Sequence, residues 1–299
     1  MTTTVARTTI ARPYIDVHAH VGETINRVPP MVQTIEKYLG RMADSSVYAA
    51  IPFPAAGFSL ARGVQDLRAQ HENIARACRD YPERFPVGLG ISEVRLQRAG
   101  VDELERAMRD DGLLGFMVHS GISGHQLGDV LHPLLEVVDA RGGIAMIHVG
   151  ERGPAAAAAA YARRFKNTTF LMAHVSTNER LFAAAAEHLA TPENVWVDFA
   201  QHPQGGAFGV ERVVNAFPTD RLLFGSDIPY YDYRILQRQV EAAPISEEMK
   251  DRIAYGNAVA LIQRFKPEWR LPKSPTEMPA AFVGQDLWGQ QPGKPGRLH

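Results

Sequence analysis

The sequence predicts an α/β protein in which a parallel sheet closes into a (β/α)8 barrel, and three observations carry that expectation. Eight short β-type runs recur roughly 25 to 40 residues apart, as repeated β-α units require. Several of these runs are continuously apolar, as strands covered on both faces should be. Helix-compatible stretches fill the gaps between them. A doubly wound open sheet is the main architectural alternative, although it normally carries about five or six strands.

The runs fall at residues 14–17, 46–51, 85–91, 114–118, 144–147, 169–173, 195–197 and 222–224. After the fifth come Gly153 and Pro154 and then six alanines; proline suits a first helical position because its missing N–H had no partner there. Ser176, Thr177, Asn178 and Glu179 spell a capping box, in which Ser176 and Glu179 each satisfy an orphaned backbone donor. Residues 246–265 are expected to form a long closing helix. Residues 1–265 therefore form the barrel. Residues 266–299 carry Pro267, Pro272, Pro275, Pro279, Pro292 and Pro295 without a regular period. This tail is expected to wrap the barrel or reach a neighbouring subunit.

Composition excludes several classes of function. Lysine plus arginine number 32 against 33 aspartates and glutamates, a net charge of −1, so no basic surplus serves nucleic acid or anionic lipid. The single cysteine, Cys78, cannot form an internal disulfide or a thiolate cluster; its apolar helical series (Val64, Leu67, Ile74, Tyr81) places it toward the core. Neither a secretory signal nor an 18-residue apolar span is visible, so a soluble cytoplasmic protein is expected.

The chemistry collects at the ends of the runs. His18 and His20 follow the first, His119 the fourth, His148 the fifth, His174 the sixth, Asp198 and His202 the seventh, and Asp227 the eighth. In a parallel barrel all strand C-termini open on one face, so these groups converge. Alternate residues of an extended strand point the same way, which lets His18 and His20 reach one ion. Imidazoles and a carboxylate bind Zn²⁺ or a similar cation at about 2.0–2.2 Å. His71, His132 and His188 in predicted helices, His125 in a loop and His299 at the end are expected to be structural or solvated.

The stretches YIDVHAHVG (14–22), IAMIHVG (144–150), FLMAHVS (170–176), LLFGSDIPY (222–230) and YGNAVAL (255–261), in this order, resemble the amidohydrolase superfamily. The resemblance is to its amidohydrolase-related branch of hydrolases and decarboxylases, among them aminocarboxymuconate-semialdehyde decarboxylase, and spans about residues 12–265. It implies a distorted (β/α)8 barrel holding a divalent metal, usually zinc, with manganese or iron as alternatives. By that resemblance His18, His20, His148 and Asp227 are the metal ligands. His174 is expected beside the metal-activated water, where it shuttles protons, and Asp227 doubles as a base. Two-metal members carry a bridging lysine where this chain has Met117, so one metal is expected.

His119, Arg152, His202 and Tyr230 are the candidates for the substrate pocket, Arg152 to meet a carboxylate through a bidentate contact. His119 could equally touch the metal or make a structural hydrogen bond. Glu23, Asn26, Phe53, Phe58, Gln201 and Tyr231 stand in the same loops. The leading expectation is a hydrolase of a lactone, cyclic amide or ester, with a non-oxidative decarboxylase of an aromatic or unsaturated acid as the alternative. A catalytically idle barrel kept for binding is a third. A small-molecule substrate is expected rather than nucleic acid or membrane, and the branch's habits suggest a homodimer.

Overall fold

The computed structural model describes residues 10–24, 31–55, 63–91, 93–120, 126–149, 154–175, 179–200 and 206–288. Eight parallel strands alternate with helices along it. They are β1 (Tyr14–Thr24), β3 (Val47–Pro54), β4 (Gly90–Ile91), β5 (Gly115–Val118), β6 (Ile144–His148), β7 (Thr169–Ala173), β8 (Val195–Asp198) and β9 (Leu222–Leu223). A short antiparallel strand absent from the sequence expectation, β2 (Met31–Gln33), folds back on the end of β1, pairing Gln33 with Gly22.

Regular ladders divide the strands into a β2-β1-β3 sheet and a β4-to-β9 sheet. Backbone bonds join them at both seams. Leu89 N–H donates to Pro52 O at 3.1 Å, and Val17 N–H donates to Phe224 O at 3.0 Å. Ala19 also bridges Ile228 in parallel. A barrel has no free sheet edge, and these bonds supply the pairing that closure needs.

Two apolar layers follow from strand alternation. Ile15, Val17, Met117, Ile144, Met146, Leu171, Trp196 and Leu223 fill the interior. Phe116, Val118, Ala145, Ile147, Phe170, Met172, Val195 and Val197 pack outward against the helices. Strands β5 to β8 are buried at every position, which is why their sequences read as apolar runs rather than alternations.

In β1 this alternation breaks. Asp16 pairs with Ala50 and Ala19 with Pro52, so three steps on β1 oppose two on β3. The extra residue is a β-bulge, and it reverses which face the following side chains occupy. Ile15 and Val17 point inward before it. Ala19 and Val21 point outward after it. His18 and His20 are thereby turned into the interior.

The expected boundaries shift in places. The run at 85–91 forms a ladder only at Gly90–Ile91. Pro154 caps rather than begins the helix Ala155–Arg164. The closing helix is interrupted by a π-turn, Arg252–Gly256, between Glu247–Asp251 and Asn257–Gln263. The capping residues Ser176, Thr177 and Asn178 lie outside the described residues, and the helix there runs Glu179–Leu189. No described helix is long and apolar enough to cross a membrane.

Beyond the last helix the chain lies against the barrel. Trp269 Nε1 donates to Glu83 O at 3.1 Å, and Arg84 donates to Ser274 O at 2.8 Å. Leu287 is buried, and Trp288 Nε1 donates to Asp44 at 2.8 Å. Residues 289–299 lie outside the described residues.

Candidate metal centre

Four side chains from β1, β6 and the segment after β9 meet at one point. The Nε2 atoms of His18 and His20 are 3.3 Å apart, and those of His18 and His148 are 3.2 Å apart. Asp227 Oδ1 lies 3.0 Å from His20 Nε2 and 3.3 Å from His18 Nε2. One donor atom from each of the four lies within 4.8 Å of the rest. Donors on a single tetrahedral ion with bonds of about 2.1 Å stand about 3.4 Å from one another, so the closest of these separations fit one cation.

The opposite edges of the rings show which nitrogens face inward. His20 Nδ1 lies 3.2 Å from Pro54 O, and His148 Nδ1 lies 3.0 Å from Val118 O. A carbonyl only accepts, so both Nδ1 atoms carry the proton and both Nε2 atoms of the neutral rings present lone pairs. His18 Nδ1 faces Asp198 Oδ2 at 2.8 Å. Inward lone pairs at this spacing repel unless positive charge lies between them. A metal-ligating histidine is commonly fixed through its other nitrogen in this way.

The electrostatics agree. Burial pushes Asp227 toward its neutral form, but His174, His18 and His20 outweigh it and hold the carboxyl well below its ordinary value. Burial lowers His18, yet Asp198 and Asp227 raise it to about 10. A proton thus occupies this pocket readily, because two buried carboxylates demand a cation there. Burial drives His148 well below its ordinary value, helped by the surrounding histidines. His20 is also lowered, first by burial.

His174 stands at the edge of the cluster, its Nε2 4.0 Å from Asp227 Oδ2. Burial lowers its pKa to about 4. His174 and Asp227 share a further feature: both adopt φ of 64°, the left-handed region that costs a non-glycine residue energy. His174 is held there by its backbone N–H, which donates to Asp198 Oδ1 at 3.1 Å. Asp227 N–H donates to His18 O at 2.9 Å, which joins the two ends of the barrel seam.

The substrate-pocket expectations divide. His119 lies beside His148, ring centroids 4.6 Å apart, and burial lowers its pKa to about 4. Tyr230 presents its ring edge-on to His20 at 5.4 Å, and Phe53 does so at 4.7 Å from the other β strand. Arg152, His202, Asn26, Phe58, Gln201 and His125 lie outside the described residues, as does the Glu23 side chain. His71 is buried in a helix, with Nδ1 3.2 Å from Glu103.

Sequence reasoning passed over the supporting groups. Asp16 is fully buried; its Oδ1 accepts the N–H of His18 at 3.0 Å and of Ser226 at 2.9 Å. Its Oδ2 accepts from Tyr38 OH at 3.0 Å and Ser226 Oγ at 2.5 Å. Burial raises its pKa to about 6, against hydrogen bonds from Ser226 and His18 that lower it. The available signal was a charged residue inside the apolar run Tyr14-Ile15-Asp16-Val17. Asp198 follows its strand in the sequence, and that position alone names no role for it. Gly225 gave no signal, yet a Cβ there would stand 2.8 Å from His18 Cβ and 2.9 Å from Asp198 Oδ2.

Comparison with known proteins adds family and fold. The amidohydrolase family matches residues 15–264. No curated protein matches the sequence. Among solved structures, 5-carboxyvanillate decarboxylase from Sphingomonas paucimobilis is 14% identical with a TM-score of 0.66, over 85% of this chain and 99% of that one. Dihydroxybenzoic acid decarboxylase from Polaromonas sp., solved with manganese and 2-nitroresorcinol, is 14% identical with a TM-score of 0.65, over 84% and 97%. A protein from Pseudomonas putida, provisionally named 2-pyrone-4,6-dicarboxylic acid hydrolase, is 18% identical with a TM-score of 0.60, over 85% and 98%. These likenesses establish the barrel.

Proposed function

The chain belongs to the amidohydrolase family, an enzyme family that uses a divalent metal, and on that premise we propose a metal-dependent hydrolase of a small organic substrate. The bond opened is the C–O or C–N bond of a lactone, ester or cyclic amide. The observation that carries this reading is the set of inward-facing donors: three Nε2 atoms and Asp227 Oδ1, each ring anchored through its outer nitrogen.

In this reading His18, His20, His148 and Asp227 hold one divalent ion, which we take to be zinc. When bound, such an ion polarises a carbonyl and lowers the pKa of water from 15.7 to about 7. Asp227, ionised at rest, would take the proton given up by the attacking water through Oδ2, the oxygen that faces His174 at 4.0 Å. His174, neutral at pH 7, passes that proton toward the leaving group. Asp198 fixes both partners, holding the His18 ring through one oxygen and the His174 backbone through the other. Phe53 and Tyr230 pack beside His20 and keep bulk water from that flank.

A second reading is a non-oxidative decarboxylase of an aromatic or unsaturated acid. It is favoured by the decarboxylases among the structures that share the barrel. There His174 would relay a proton drawn from water to the ring carbon before CO₂ leaves. On either reading we propose a small-molecule partner and not nucleic acid or a membrane, in keeping with the balanced charge.

The test is to purify the protein, measure its metal by elemental analysis, and assay a panel of lactones, cyclic amides and carboxylic acids. One equivalent of metal with ring opening supports the hydrolase. Release of CO₂ from the acids with no ring opening replaces it with the second reading.

A further inference from the structure

A chain of buried hydrogen bonds connects the C-terminal tail with the metal cluster. Gln33, fully buried on β2, donates from Nε2 to the backbone carbonyl of His20 at 2.6 Å. Its Oε1 accepts a short hydrogen bond from Arg41 Nη1. A guanidinium only donates and a carbonyl only accepts, so the amide has one satisfactory orientation. Arg41 Nε donates in turn to Leu287 O at 3.0 Å.

Arg41 is 7% exposed and both of these acceptors are neutral. A buried guanidinium is costly when it loses an acceptor. Its position therefore depends on the tail being docked. The dock is specific: the Trp288 ring lies 3.7 Å from the guanidinium carbon of Arg234 and 4.9 Å from the Tyr233 ring, edge-on. Leu287 Cδ1 sits where a Cβ on Gly40 would be 2.7 Å away, so Gly40 leaves the space it fills.

We propose that the tail, acting through Arg41 and Gln33, is a positioning element for His20, so that the metal-holding geometry is complete only with Leu287 and Trp288 docked. This inference rests on the reading of His20 as a ligand. Gln33 and Arg41 are positioning residues: neither is placed among the donor atoms, and both act through the backbone of His20. Outer partners of metal ligands typically change affinity by about 10–100-fold when removed.

The experiment titrates cobalt(II) into metal-free full-length protein and reads the visible d–d absorption, alongside thermal melting of each metal-free variant. Gln33→Leu and Trp288→Ala are each expected to weaken cobalt about tenfold or more and to alter the absorption band. Trp269→Ala provides the control, since it loosens the same tail at Glu83, away from Arg41. It is expected to lower melting while leaving cobalt affinity within about twofold, well short of that outer-partner effect. If Trp288→Ala binds cobalt as tightly as the unaltered protein, or if Trp269→Ala weakens it equally, the relay is overturned. His20→Ala separates the two layers of the argument. Unchanged cobalt binding in that variant overturns the ligand reading itself, whereas weakened binding there with unchanged Gln33→Leu overturns the relay alone.

Discussion

Asp198 Oδ2 stands 2.8 Å from His18 Nδ1, while its other oxygen accepts the backbone N–H of His174 at 3.1 Å. One buried carboxylate thus orients a candidate ligand and a candidate proton carrier at once. Asp198→Asn replaces one oxygen with an NH₂ group that cannot accept, so one of the two bonds fails. Metal affinity is expected to fall about 10–100-fold, measured by competition with a chelator. Unchanged affinity would show that His18 is held by something else.

The ligands and the proton carrier should separate experimentally. His18→Ala and Asp227→Ala are expected to lose metal and activity together. His174→Ala is expected to retain metal while turnover drops about 10²–10⁴-fold, the usual range for a general acid–base. Elemental analysis beside the activity assay decides it; full metal content in the His18 variant would contradict the assignment.

Gly225 is expected to tolerate no side chain. A Cβ there would lie within 3.0 Å of both His18 and Asp198 side-chain atoms. Gly225→Ala should cost about 1–3 kcal/mol, as overpacking a filled interior does, and weaken metal binding as well. Urea unfolding with and without metal measures both effects. A variant as stable as the parent would mean that the backbone yields at this point.

Glu103 predicts a pH dependence away from the metal. Burial pushes its pKa up, but hydrogen bonds from His71, Arg106 and Arg68 prevail and hold it at about 2, below its ordinary 4.5. A depressed carboxyl contributes stability that is complete above about pH 4.5 and is lost as pH falls through about 2. Glu103→Gln should therefore destabilise the protein near neutral pH. The gap should close as pH falls from 4.5 toward 2. Urea midpoints across that range test it, and a gap independent of pH would remove the ionic explanation.

Cys78 is expected to be inert. Burial raises its thiol to about 12, against a smaller lowering by Lys266 and Arg79. At pH 8 the thiolate is scarce, so alkylation by iodoacetamide should be far slower than for a free thiol in solution. Rapid labelling of the folded protein would show that the helix carrying it opens.

Much of this protein is legible along the chain because the physics involved is local. Strands covered on both faces must be apolar at every position, so residues 144–147 and 169–173 announce themselves. Parallel connection then brings their ends to one face, which is why His148, His174 and Asp227 belong together before any coordinates are known. Strand β2 was not legible: three residues, Met31–Gln33, are too few to carry a period, although they pair with the nearby end of β1 at Gly22–Thr24. The relation of the tail to Arg41 was equally hidden, since a backbone carbonyl such as that of Leu287 has no signature in sequence.

By itself, then, the order of residues determined the barrel and the roll of histidines and carboxylates at its mouth. What only the tertiary structure decided is how those groups face. Strict alternation from Ile15 and Val17 would have sent His18 and His20 outward; the bulge opposite β3 adds one residue and turns them in. That bulge is pairing between segments some thirty residues apart. Burial and hydrogen bonding to Asp198, Pro54 and Val118 then select the ring faces. Such choices depend on neighbours in space, and a linear pattern cannot contain them.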